Sequence, residues 1–167
     1  HVEKIRAAVE ARDEMMIIAR TDAYATRGLD ETLRRLEAYR DAGADIIYAD
    51  GLPNAEAMRE VCKIPNVYKF GNQVEGGKSP VLSFEELEDI GYDIVIYPTC
   101  TVFCAAAAMR KMLTQLKAEH TNGNIIASGQ VTGFGEYNAI VGMKELTDME
   151  AKFKVDIFKQ EHDREVR

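Results

Sequence analysis

The chain has 167 residues, of which 46% are hydrophobic and 29% charged, proportions that fit one globular domain. A net charge of -7, with Lys and Arg interspersed among Asp and Glu, excludes the basic footprint that a nucleic-acid partner requires. No apolar run approaches the roughly 20 residues that cross a bilayer, and the start lacks the apolar stretch of a signal peptide, so no membrane partner is expected and the expected compartment is cytoplasmic.

His1 stands first rather than Met, and Val2, Ile5, Ala8 and Val9 immediately set a helical spacing, as in a chain cut from something longer. Met15, Met16, Ile17, Ile18 and Ala19 form an apolar run too short for a helix; it fits a strand buried on both faces and ending at Arg20, Thr21 and Asp22. Leu29, Leu33, Leu36 and Tyr39 carry a helical period to Ala42, with Gly43 where a C-terminal cap belongs. Residues 44–50 repeat the buried-strand pattern, and a loop over 51–54 and a helix over 55–62 follow. Residues 67–70 make a third strand, which leads into a loop over 71–80 rich in Gly and Pro. Ser83 and Glu86 form a capping box for the next helix, Gly91 closes it, and residues 93–97 are a fourth strand ending at Pro98. Beyond it the pattern predicts an alanine-rich helix over 105–117 suited to close packing, and a polar loop over 121–130. An amphipathic helix over 146–165 comes last, with Phe153, Ile157 and Phe158 on one face.

Residues 41–48 and 89–96 repeat one design: helix end, Gly, Asp, strand. Strands alternating with helices imply a parallel sheet with right-handed crossovers, and both a doubly wound sheet and a barrel satisfy that pattern. The three cysteines, Cys62, Cys100 and Cys104, include no C-x-x-C pair and read as small buried hydrophobes.

In either architecture, ligands bind beyond the carboxyl ends of the strands. Those ends deliver Arg20, Thr21 and Asp22, then Asp50, then Asn72 and Glu75, then Pro98 and Thr99. A guanidinium at a strand end can hold a carboxylate bidentately, which makes Arg20 the anchor candidate; the plain alternative is a structural ion pair with Asp22 or Asp50. Carboxylates converging on that face suit a hard cation such as Mg2+, through Asp22, Asp50 or Glu75, or they are solvated loop acids. Residues 75–79 read as a weak anion-binding glycine loop without full P-loop spacing. None of His1, His120 and His162 falls at a strand end, so this stretch supplies no histidine base.

Four segments in this order carry a resemblance: Ile18-Ala19-Arg20-Thr21-Asp22-Ala23, residues 42–51 around Asp45 and Asp50, residues 72–80 from Asn72 through Glu75 and Lys78, and Ile96-Tyr97-Pro98. They resemble the isocitrate lyase and phosphoenolpyruvate mutase superfamily, with Phe134 to Asn138 also fitting. The resemblance implies an α/β fold, a partial (β/α)8 TIM barrel comprising about the last four to five βα units plus a C-terminal helix. Residues 1–143 would be barrel and 144–167 a helical tail exchanged with a partner subunit in a homo-oligomer. It implies Mg2+, with Mn2+ as a substitute, and a small dicarboxylate substrate. Arg20 would be the catalytic residue, binding a carboxylate and stabilising enolate charge. Asn72, with Gln73, Val74 and Glu75, would bind the second carboxylate, and Asp50 would touch substrate and reach the metal through water. In the family, the main metal-ligating aspartates and a loop supplying the catalytic acid lie on earlier strands, which would precede His1. Asp50 stands where the family usually has the longer Glu. Phe103 stands at about the position where 2-methylisocitrate lyases carry an arginine, which disfavours a tricarboxylate. The loop over 74–80 resembles the branch of 2,3-dimethylmalate lyase, oxaloacetate-cleaving enzymes and carboxyphosphonoenolpyruvate mutase.

The expected activity is a Mg-dependent lyase that breaks a C–C bond of a 2-hydroxy dicarboxylate by retro-Claisen chemistry. The alternatives are a phosphonate-forming mutase, a non-catalytic truncated barrel, and an unrelated doubly wound nucleotide-binding protein, which the lack of a glycine-rich turn after the first strand disfavours.

Overall fold

A computed structural model describes residues 1–153 of the chain, so the expected tail face at Ile157 and Phe158, with His162, lies outside the described residues. The opening pattern folds as α1 (Val2–Ala11), which buries Ile5 and ends at Arg12, whose guanidinium pairs with Asp45. Strand β1 (Ile18–Thr21) leads into α2 (Tyr24–Asp41), broken at Gly28, and then β2 (Ile46–Ala49) and α3 (Ala55–Cys62). Strand β3 (Tyr68–Asn72), α4 (Phe84–Ile90) and β4 (Ile94–Ile96) complete the alternation. Gly91 closes α4 at φ 107°, a left-handed cap that L side chains reach only with strain. At Gly43, φ is 95°, which favours glycine, and an added Cβ would crowd Val9, at 3.1 Å from its Cγ1.

The strands are all parallel and bonded in chain order, β1-β2-β3-β4. A doubly wound sheet reverses its strand order at a switch point; this one never does, so right-handed crossovers place the connecting helices on one face. That face carries Ala19, Ile47 and Ala49, packed in one core with Leu36, Met58 and Val61 from the helices. The opposite face runs in register rows: Ile18, Ile46 and Tyr68; then Arg20, Tyr48, Phe70 and Ile94; then Asn72 and Ile96. Ile18, Tyr68, Ile94 and Ile96 are exposed on it. A sheet clothed on one face, with rows of inward side chains on the other, is the open arc of a (β/α) barrel.

The chain divides into two compact units, His1–Ala107 and Ala108–Arg167. The expected boundary between residues 143 and 144 falls inside the second unit. Helix α5 (Cys100–Glu119) begins in the first unit and ends in the second, which also holds α6 (Gly123–Ala127), α7 (Phe134–Ile140) and α8 (Met143–Phe153).

Several sequence expectations need correction. The first strand starts at Ile18 rather than Met15, and only alternate residues, Ala19 and Thr21, are buried. Its apolar run looked two-sided, but only one face is covered. Helix α5 buries none of its residues, although its alanines suit close packing, and Val102 and Leu113 are exposed. The expected polar loop after it contains α6, with Ile125 buried. Cys104 is exposed and Cys62 half-buried, so the cysteines are not uniformly core residues. Among the described residues no helix is long and apolar enough to cross a membrane.

Candidate functional site

Period-two geometry aims Arg20 and Tyr48 at the uncovered face, and the chain then leaves the sheet at Asp22, Asp50 and Asn72. These five side chains meet at the C-terminal ends of β1, β2 and β3. Arg20 Nε and Nη2 both donate to Asp22 Oδ1, at 3.0 and 2.8 Å, and Nη2 also donates to Asp50 Oδ2 at 2.8 Å. Asp50 Oδ1 accepts from the Tyr48 hydroxyl at 2.7 Å and from Asn72 Nδ2 at 3.3 Å. The guanidinium lies 5.1 Å above the Tyr48 ring, which in turn meets Phe70 edge-on.

The hydrogen bond to Asp22 raises the Arg20 pKa further, against a desolvation cost and with help from Asp50, so the side chain is a fixed cation. Burial, with the bond to Asp50, pushes the Tyr48 hydroxyl well above its ordinary range, and the phenol stays a neutral donor. Arg20 has five N–H groups. Among the described residues Nη1 makes no hydrogen bond, so its N–H groups remain available to an incoming anion on an exposed face. The ion pairs considered as the plain alternative for Arg20 are present, and they leave that edge open.

The β3–α4 loop supplies the other expected contacts, though not equally. Val74 lines a cavity of about 220 Å3 with Asp50, Gly51, Asn72, Lys78 and Ser79. Glu75 is exposed and its Oε2 accepts from the Thr99 hydroxyl at 2.9 Å. Gln73 is only 2% exposed, and its amide is spent on the loop: Oε1 accepts the Leu82 N–H at 2.7 Å and Nε2 donates to the Asn72 carbonyl at 3.3 Å. It therefore shapes the loop rather than offering its amide to a ligand. A larger hollow on α8, about 690 Å3, is bordered by Leu146, Met149, Glu150 and Phe153, and among the described residues that line it only Glu150 is ionisable.

Among the described residues no cluster of three or more His, Cys, Asp or Glu is placed to hold a metal. The Asp50 carboxylate already accepts three donors, which leaves about one of its four lone-pair sites, on Oδ2, for a further partner. The residues present fit a cation reached through water at Asp50 and do not fit one ligated directly by this set.

Sequence reasoning missed two side chains of this site. Tyr48 was read only as part of a buried strand, yet it stands two residues before Asp50 on the same face, a spacing that could have identified it. Lys78 was read only as part of a weak glycine-loop pattern.

Residues 1–117 match the family of phosphoenolpyruvate phosphomutase. Over 154 residues the chain is 39% identical to 2,3-dimethylmalate lyase of Eubacterium barkeri, covering 91% of this chain and 53% of that protein. It is 32% identical to the petal death protein of Dianthus caryophyllus over 92% of this chain and 48% of that one. The trigonal crystal structure of 2,3-dimethylmalate lyase superposes with a TM-score of 0.81 at 33% identity, over 94% of this chain and 52% of that one. Oxaloacetate acetylhydrolase bound to 3,3-difluorooxalacetate superposes at 0.77 with 29% identity, over 89% and 50% of the two chains. The chain thus spans about half the length of the relatives it matches. With four strands in barrel order and these matches, the chain belongs to the phosphoenolpyruvate mutase/isocitrate lyase superfamily.

Proposed function

We propose that this chain provides the substrate-anchoring arc of a lyase that cleaves a C–C bond of a small 2-hydroxy dicarboxylate. One observation carries the reading: a cationic fork at a strand end, held on one side by Asp22 and Asp50 and open on the other at Nη1. Its kinship with 2,3-dimethylmalate lyase supports the substrate class. In the proposed reaction the 2-hydroxyl gives up its proton and the C2–C3 bond breaks. C2 becomes the carbonyl of a 2-oxo acid, and the bonding pair passes to C3 and its carboxylate as an enolate, which is then protonated. Arg20, fixed in place before reaction, holds a substrate carboxylate and opposes the developing negative charge. Asp50, Tyr48 and Asn72 hold the guanidinium's neighbourhood rigid. A divalent cation, Mg2+ or Mn2+, would supply Lewis-acid stabilisation of the oxyanions, and Asp50 could reach it through water.

The test is a screen of the protein, expressed over its whole reading frame, against 2-hydroxy diacids including 2,3-dimethylmalate, following the 2-oxo acid product with and without a chelator. Cleavage that chelation abolishes is the expected result. A phosphoryl shift within a phosphonate, without C–C cleavage, would make the protein a mutase. Neither activity would leave a non-catalytic barrel segment.

A further inference from the structure

The 220 Å3 cavity beside Asp50 contains a cation that the anchoring of one carboxylate by Arg20 does not use. Lys78 lies on the loop between β3 and α4, and that loop is built rather than loose. The buried Gln73 amide ties its two ends, the Gly77 N–H donates to the Val74 carbonyl at 3.0 Å, and Glu75 accepts from Thr99. The Lys78 stem runs along Gly51, where an added Cβ would lie 3.5 Å from its Cδ. Its stem thus has the Gly51 backbone on one side, beside the end of β2.

Among the described residues Lys78, like most of the lysines, makes no ion pair; its place in the lining of this cavity is what sets it apart. Asp50, the acid that lines the same cavity, is already engaged by Arg20, Tyr48 and Asn72, and Glu75 on the loop accepts from Thr99. An unpaired ammonium in a cleft whose carboxylates are engaged is complementary to an anion from outside. At about 30 Å3 per water-sized group, the cavity holds about seven, room for the acidic arm of a small diacid. The Ser79 hydroxyl lines the same space and can donate to a second oxygen.

We infer that Lys78 is a specificity-determining residue that reads the distal carboxylate of the substrate, while Arg20 holds the proximal one. The inference rests on the lyase reading for its substrate but stands on binding alone for its test. A charged hydrogen bond of this kind discriminates by about 10- to 100-fold.

The experiment uses the protein over its whole reading frame and two unreactive probes, succinate and its monoamide, succinamate, titrated calorimetrically into wild type, Lys78→Met and Arg20→Lys. Lys78 is exposed, so Lys78→Met should keep the wild-type melting temperature. Wild type is expected to prefer succinate at least tenfold. Lys78→Met should abolish that preference by weakening succinate alone, and Arg20→Lys should weaken both probes together. No preference in wild type, or a preference that survives Lys78→Met, overturns the proposal even if C–C cleavage is observed. A preference lost in Lys78→Met without any cleavage upholds Lys78 as the anion reader and rejects the lyase reading instead.

Discussion

The two ends of the sheet use the same residue type for opposite purposes. At the N-terminal end, Asp45 and Asp93 each stand two residues after a glycine cap and accept a backbone N–H from the neighbouring strand region: Ile17 to Asp45 at 2.8 Å, Lys69 to Asp93 at 2.7 Å. At the C-terminal end, Asp22 and Asp50 accept, among the described residues, only from the side chains of Arg20, Tyr48 and Asn72. A carboxylate bonded to backbone fixes where one strand lies against the next and cannot exchange its partner without moving the strand. A carboxylate bonded to side chains orients groups that can also meet a ligand. The repeat that makes the fold therefore sits at one end and the candidate chemistry at the other, the division that parallel barrels show generally.

The largest effect that would test this comparison is at Arg20. Arg20→Ala should lower kcat/KM for the substrate by about 1000-fold, the scale of losing a charge-stabilising donor. The same change should leave stability within about 1 kcal/mol, because the ion pairs it removes are substantially exposed. Urea unfolding beside steady-state kinetics measures both, and a large loss of stability would place Arg20 with the structural residues instead.

Much of this division was legible in the sequence. Gly43, Gly91 and the Ser83–Glu86 capping box have backbone requirements that few residues meet, so they marked helix ends correctly, and α3 lies where its helical pattern was read. Strand ends followed, and with them Arg20, Asp50 and Asn72. What stayed hidden depends on partners distant in sequence. The run at Met15 to Ala19 cannot tell whether one or two faces are covered, and Tyr48 looks like any other residue of a buried strand until Arg20 lies across its ring. The resemblance placed Gln73 with Asn72 as a ligand contact, and nothing in the sequence shows that the Leu82 N–H, nine residues on, takes its amide oxygen.

At the other end of the sheet the effects should reverse. Asp45→Ala removes the acceptor of the Ile17 N–H and the partner of Arg12, and should cost about 2 kcal/mol of stability while leaving kcat per folded molecule unchanged. Acid provides an independent check. The Ile17 N–H, and secondly Arg12, hold the Asp45 carboxyl below the usual range against its partial burial. A depressed native pKa contributes stability that is present above the unfolded value of about 4 and is lost as pH falls through the native one. The difference in urea midpoint between wild type and Asp45→Asn should therefore hold steady from neutral pH to about pH 5 and shrink below about pH 4. A difference that grows in acid would mean that Asp45 is not the stabilising carboxylate.

The smallest effect separates two roles for Tyr48. Tyr48→Phe keeps the ring beneath Arg20 and against Phe70 and deletes only the donor to Asp50, leaving Oδ1 with the longer bond from Asn72. If Tyr48 is a positioning residue, kcat/KM should fall by less than about tenfold, the equivalent of one neutral hydrogen bond. Its phenol is held protonated, so the alkaline side of the pH–rate profile should have the same shape in both proteins. A proton-transfer role would show differently: the substitution would remove an alkaline limb that wild type possesses. Because Tyr48 and Arg20 pair directly across β1 and β2, loss of the ring itself, as in Tyr48→Ala, should weaken Arg20 function more than loss of the hydroxyl does. That ordering, ring before hydroxyl, would show that the C-terminal end of the sheet acts through the guanidinium and that its acids and phenol serve to aim it.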